Sequence, residues 1–273
     1  MIIDSHTHID TGNGLGIGIE NSNPKELAEF RNMIREKKLG VLANASCVSE
    51  FEAFETIEGA FISFGIHPWN THEFFKSVKG ENRLAFDEQD WVKCIREKLE
   101  EIQVYFRGAH AVGEIGMDSV WCSCNLMLQR ELFIQQVEIA QSLRKPVVLH
   151  TKGQEKAIAE ILRNYSLKKL VHWYSCEQYL ELFLEQDCYF TVGPNYQTSN
   201  AVKKVISTVP LDRLLIETDG ISAVEWASEK KIKVAEIPDV LKGSVRAIAE
   251  AKGIAPEIAE RRIEKNFYRF LGI

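Results

Sequence analysis

The chain of 273 residues lacks any apolar run long enough to span a bilayer, which argues against a protein built on membrane-crossing helices. It also lacks an excess of positive charge: 33 Lys and Arg face 39 Asp and Glu, a formal charge of −6. That speaks against wrapping duplex nucleic acid, because such binding is driven by neutralising many phosphates. It leaves room for a protein that grips a few phosphates through local donors. The six cysteines (Cys47, Cys94, Cys122, Cys124, Cys176 and Cys188) lack the spacing of a disulfide framework. Asp4, His6 and His8 interrupt any signal-like start, so reduced thiols in a cytoplasmic protein are expected. Cys122-Ser123-Cys124 looks like half of a zinc site but has no matching second pair, and free loop thiols are the better reading. Gly12, Gly14, Gly16 and Gly18 lack the Lys-Ser/Thr of a P-loop and the order G-x-G-x-x-G, so they read as a flexible loop.

What is present is a repeating alternation of short apolar runs and helical stretches. Apolar residues make up 45% of the chain, enough for a sizeable core. Strands are expected at the N-terminal Ile2-Ile3 run, at 40–45, 60–65, 109–112, 147–149, 169–171, 188–192 and 213–216. Asn23-Pro24-Lys25-Glu26 has the chemistry of a helix start, with a helix running to about Lys38 and stopping at Gly40. Further helices are expected over 50–58, 90–106, 125–144, 236–252 and 256–270, while 70–90 carries no assignable pattern. Eight short strands separated mostly by helices predict an α/β fold, a TIM (β/α)8-type barrel. No linker or repeat divides the sequence, so residues 1–273 are read as a single domain.

Polar residues fall at the strand ends. His6 and His8 come two apart, so in an extended chain both imidazoles point to the same face and can converge on one ion. Glu114 follows the fourth strand, His150 the fifth, His172 the sixth and Asp219 the eighth. A barrel gathers the C-terminal ends of its strands at one mouth, so these six donors should meet there. Six donors exceed what one tetrahedral ion needs. They suit two divalent ions with Glu114 as the bridge, and Asp219 placed to bind an ion and take a proton from attacking water. Imidazole and carboxylate donors do not distinguish Zn, Mn, Mg, Fe or Ni, and one ion or two are both compatible.

These residues resemble the TatD-like metal-dependent hydrolases of the amidohydrolase superfamily. The resemblance runs through Ile3-Asp4-Ser5-His6-Thr7-His8-Ile9-Asp10, Gly65-Ile66-His67-Pro68-Trp69, and residues 111–118 (Ala-Val-Gly-Glu-Ile-Gly-Met-Asp). It continues through 145–150, Val171-His172-Trp173-Tyr174-Ser175 and 210–219, which ends in Glu217-Thr218-Asp219. It implies a TIM-type barrel, a one- or two-metal site and removal of nucleotides from DNA ends. Carried over by position, His6, His8, Glu114, His150, His172 and Asp219 are the ligands. His67 matches a histidine near the substrate phosphate, and Lys152 stands where the family usually has arginine. A lysine can still hold a phosphate, as a point charge without the bidentate fork.

The departures lie in loops. The gap from His67 to Glu114 is 47 residues, longer than the family's usual span, which predicts an insertion within 70–106. Trp173-Tyr174-Ser175-Cys176 replaces the usual Cys-Phe-Ser-Gly, Gly193-Pro194-Asn195-Tyr196-Gln197 differs from the usual loop, and Gly220-Ile221-Ser222 follows Asp219. The expected substrate is therefore a DNA end or a small phosphodiester or ester. A carboxylic ester or amide such as an aminoacyl bond is the alternative, because the same ions can polarise a carbonyl. A binding module without turnover would have no need of six donors. Trp69, Trp173 and Tyr196 are candidates for a surface on which a base could stack. Oligomeric state has no signature in the sequence.

Overall fold

The structure, a computed structural model, describes residues 1–12, 23, 25–79 and 88–273. Eight strands follow in order: β1 (Ile3–Thr7), β2 (Gly40–Ala45), β3 (Phe61–Phe64), β4 (Ala111–Gly116), β5 (Val147–His150), β6 (Lys169–Val171), β7 (Tyr189–Val192) and β8 (Leu214–Ile216). Between and after them run α1 (Glu26–Arg35), α2 (Val48–Glu55), α3 (Thr71–Lys79), α4 (Glu88–Glu101), α5 (Gln103–Gly108) and α6 (Leu126–Leu143). The second half adds α7 (Glu155–Leu162), α8 (Leu180–Leu184), α9 (Asn200–Thr208), α10 (Ile221–Ser228), α11 (Ile237–Lys252) and α12 (Pro256–Leu271). The strands pair in chain order, all parallel, and curl into a nearly closed barrel inside the helices. This is the (β/α)8 architecture the alternation predicts.

The strands are buried on both faces because they lie between the barrel interior and the helical layer. Phe30, Phe51, Phe54, Phe64, Phe106 and Phe133 fill part of the space between layers, each fully buried. The longest helix, α6, begins where the Asn125 side chain accepts from the amides of Met127 and Leu128, and ends at Arg144 in the left-handed conformation. None of the described helices is long and apolar enough to cross a membrane.

Two features of the barrel bear on the site. The pairing register shifts between Asp4 and Thr7 on β1 and between Val112 and Ile115 on β4. Such irregularities re-aim side chains, and these two strands carry His6 and Glu114. The ladder among the described residues runs from β1 to β8, and side-chain and backbone hydrogen bonds close the seam. The Asp4 carboxylate accepts from the Thr218 amide at 2.9 Å and from the Thr218 hydroxyl, while the Asp219 amide donates to the His6 carbonyl at 3.1 Å. Asp4→Ala should leave the buried Thr218 amide without its acceptor, costing roughly 2–4 kcal/mol. Urea unfolding checks this: the midpoint should fall at an unchanged m-value.

Some sequence expectations shift. Glu114 lies inside β4, not in a loop after it, and His6 lies inside β1. The single helix expected over 90–106 is two, α4 and α5, broken at Ile102. Part of the stretch without assignable pattern folds as α3. Gly14, Gly16 and Gly18 of the glycine loop, and residues 80–87 within the expected insertion, lie outside the described residues.

Candidate metal centre

The donors come together at the C-terminal mouth, around Glu114. Its Oε2 lies 3.2 Å from His6 Nε2 and 3.0 Å from His8 Nε2. Its Oε1 lies 2.6 Å from His150 Nδ1, 2.8 Å from His172 Nε2 and 3.2 Å from His67 Nε2. One carboxylate thus faces two histidines with one oxygen and three with the other. Asp219 completes the first side, with Oδ1 3.1 Å from His6 Nε2 and 3.6 Å from His8 Nε2. His6, His8, Glu114 and Asp219 present ligand atoms within 4.8 Å of one another, and so do His67, Glu114 and His150.

Local backbone explains how the carboxylates reach these positions. Asp219 is left-handed (φ 61°), and Gly220 follows at φ 93°. A Cβ on Gly220 would meet the His8 carbonyl oxygen at 2.7 Å, so only glycine lets this turn fold back against β1. The Asp219 side chain keeps 22% of its surface exposed, whereas Glu114 keeps 3%. Asp219 is therefore the carboxylate open to solvent. Gly116 lets β4 approach β5, since a Cβ there would overlap the His150 carbonyl.

Supporting groups orient the rings. His150 Nε2 lies 3.0 Å from Asp118 Oδ2, a carboxylate that can only accept, so the hydrogen sits on Nε2 and Nδ1 faces the cluster. His6 Nδ1 lies 2.7 Å from the Asn44 amide. His172 Nδ1 lies 3.7 Å from the buried Glu217 carboxylate, with no hydrogen-bond partner for either group among the described residues. His67 differs. Its Nδ1 accepts from the Trp69 backbone amide at 3.2 Å, so the neutral ring carries its hydrogen on Nε2 and presents a donor, not a lone pair.

The electrostatics favour cations. Burial works against charge on His6, as does neighbouring His172, yet Glu114 and Asp219 outweigh both and push its pKa up to about 9. Burial likewise opposes charge on His172, but Glu114 lifts it well above the ordinary histidine value. Burial would raise Glu114, and the histidines around it, His172 first, instead hold it well below the ordinary carboxylate range. His67 goes the other way: burial dominates and pushes it down to about 4. A pocket that holds protons this firmly on imidazoles has the field to hold metal cations in their place, and its nitrogen and oxygen donors suit divalent ions.

Lys152 stands outside this cluster. Its ammonium donates to Ser175 Oγ at 2.8 Å and lies 4.3 Å from the centre of the Trp121 ring. Trp69 and Trp173 lie on the rim, but Tyr196 turns its hydroxyl toward Gly243 of α11, where a Cβ would meet it at 2.6 Å. Cys122 and Cys124 are free thiols, set beside the Pro68 and Trp69 carbonyls. Sequence reading did not single out Asp118 or Asn44, nor Glu217 apart from its motif. Each acts on a ring from behind, and such support has no spacing rule.

A parallel barrel whose mouth gathers histidines and carboxylates fit for metal ions is the architecture of a metal-dependent hydrolase. The profile of the TatD related DNases matches residues 3–272, and the chain belongs to that family. It is 24% identical to the metal-dependent hydrolase YcfH of Escherichia coli, over 100% of this chain and 96% of that one. It is 27% identical to the human 3'-5' RNA nuclease TATDN2, over 53% of this chain and 20% of that one. The crystal structure of YJJV, a TatD homologue from Escherichia coli, superposes with a TM-score of 0.73 at 19% identity, covering 100% of this chain and 98% of that one.

Proposed function

We propose that this protein is a metal-dependent phosphodiesterase that removes nucleotides from DNA ends. The observation that carries this reading is the division of donors across Glu114, with His6 and His8 on one oxygen and His150 and His172 on the other. On this reading His6, His8, Glu114 and Asp219 would hold one divalent ion, and Glu114, His150 and His172 a second. Bound there, such ions would supply an acidified water and charge to offset what builds on an attacked phosphate.

The chain's own residues do the rest. Asp219, the most open carboxylate of the cluster, takes the proton of the attacking water. His67 donates from Nε2 to a phosphate oxygen, a role its fixed tautomer and low basicity support. Lys152 offers a point charge to the same or the next phosphate. Membership of a family described as DNases supports a nucleic-acid substrate, as does the name of the human relative.

The test is hydrolysis of end-labelled single-stranded oligodeoxynucleotides by metal-loaded protein. Stepwise shortening from an end is expected, abolished by chelator and restored by Mn or Zn. Intact DNA beside rapid cleavage of aminoacyl esters or amides would overturn the reading in favour of carbonyl chemistry.

A further inference from the structure

Four of the chain's five tryptophans form a line across the mouth. Trp69 follows β3, Trp121 follows β4, Trp173 follows β6, and Trp226 lies on α10 after β8. Ring centres are 6.4 Å apart for Trp69 and Trp121, 6.3 Å for Trp121 and Trp226, and 6.2 Å for Trp226 and Trp173. In a ring of eight strands β4 and β8 stand opposite each other, so the Trp121–Trp226 contact bridges the mouth. Trp69 ties the line to the donors, its ring 5.3 Å from His67 and 6.4 Å from His150.

The two ends of the line are fixed and the middle is open. Trp69 Nε1 donates to Asp118 at 2.7 Å, and Trp173 Nε1 donates to Asn195 at 2.8 Å. Trp121 and Trp226 are 56% and 66% exposed, far from what packing alone gives an indole. Their mutual contact is edge-to-face, at 76°, which leaves flat indole surface uncovered. The Lys152 ammonium lies over one face of Trp121, 4.3 Å from the ring centre, which leaves the other face and the Trp226 ring open, and beyond the indoles lies a cluster fit for cations. Flat apolar faces next to an ammonium and to donors suited to divalent cations match a flat ring joined to an anion.

We propose that Trp121 and Trp226 form the clamp for the terminal nucleobase of the strand whose phosphate reaches the donor cluster. The inference rests on the phosphodiesterase reading and adds how the strand end is held. The incoming base displaces the Trp121–Trp226 contact and stacks on the exposed indole faces, while Lys152 meets the adjoining phosphate. Stacking is tolerant of base identity, so the clamp selects an unpaired end and not a sequence. A bridged mouth admits one such end more readily than the interior of a duplex.

The experiment uses metal-loaded protein and single-stranded oligodeoxynucleotides ending in thymidine or in an abasic residue. Trp121→Ala and Trp226→Ala should each lower kcat/KM on the thymidine-ended strand by about 5- to 100-fold, mostly through KM. Trp226→Phe should restore most of the loss. The abasic end should cost the wild-type protein a similar factor, and combining it with Trp226→Ala should cost little more, since both remove one stack. Additive losses, or alanine variants as active as wild type on the thymidine-ended strand, would overturn the clamp. Quenching of tryptophan fluorescence by a phosphorothioate oligothymidylate separates the two readings. Quenching by that probe without cleavage of the unmodified thymidine-ended strand would leave the clamp standing and remove the phosphodiesterase; neither signal would remove both.

Discussion

Glu114→Ala is expected to lower kcat/KM by about 10³-fold or more and to empty the mouth of bound metal. The carboxylate meets both halves of the cluster, within 3.2 Å of five histidine nitrogens. Removing it leaves those imidazoles with Asp219 as the remaining anion among them, and Asp219 lies beside His6 and His8 only. The His150 side would then have no carboxylate facing an ion, since Asp118 and Glu217 stay behind the rings, and imidazoles alone would hold a divalent ion weakly. Losing the electrostatic support of even one ion in the transition state is worth several kcal/mol, and about 4 kcal/mol is a factor of 10³. Glu114→Gln makes the sharper variant, because it keeps the volume and removes the charge. Metal content by elemental analysis and kcat/KM should fall together in both variants. Full metal content in Glu114→Gln would show that histidines and Asp219 suffice, and the bridging assignment would be wrong.

The parts of the fold that sequence revealed are those governed by one simple rule. β2 and β6 begin and end where the apolar runs do, because a strand buried on both faces tolerates little else. The sequence pattern predicts a shorter β4 because Gly113, Glu114 and Gly116 look like loop residues. In the barrel they remain strand, the glycines allowing close approach of β5 and the glutamate pointing inward. α3 has no helical signature in sequence because Thr71-His72-Glu73-Phe74-Phe75 offers two adjacent aromatics where a helical stripe needs spaced ones.

The same distinction divides the site. His6 and His8 announce themselves by spacing, and Glu114, His150, His172 and Asp219 by their place at or near strand ends. Trp121 and Trp226 do not, since their contact exists only after β4 and β8 have been set on opposite sides of a closed barrel. Asp118 sits in a motif that matches the family, but its partners, Trp69 and His150, are fixed by tertiary structure alone.

That makes Asp118 the most informative residue outside the donor cluster. Its buried carboxylate accepts from His150 Nε2 at 3.0 Å, Trp69 Nε1 at 2.7 Å, and the Val120 and Trp121 amides at 2.8 and 2.9 Å. Burial would raise its pKa, yet these donors, His150 first, hold it well below the ordinary range. One side chain therefore sets the tautomer of a proposed ligand, the ring angle of a rim tryptophan and the path of the loop that carries Trp121. Asp118→Ala should weaken metal binding or activity by about 10- to 100-fold, the usual effect of removing a carboxylate behind a ligating imidazole. Asp118→Asn sharpens the test. Each carboxylate oxygen accepts from two of the four donors, so the amide nitrogen must face two of them and cannot satisfy them all, and the neutral group no longer favours the His150 tautomer with hydrogen on Nε2. Metal affinity, measured by competition with a chelator, should fall in both variants even where thermal unfolding of Asp118→Asn stays close to wild type. A variant that unfolds earlier but binds metal as tightly as wild type would reduce Asp118 to a loop anchor.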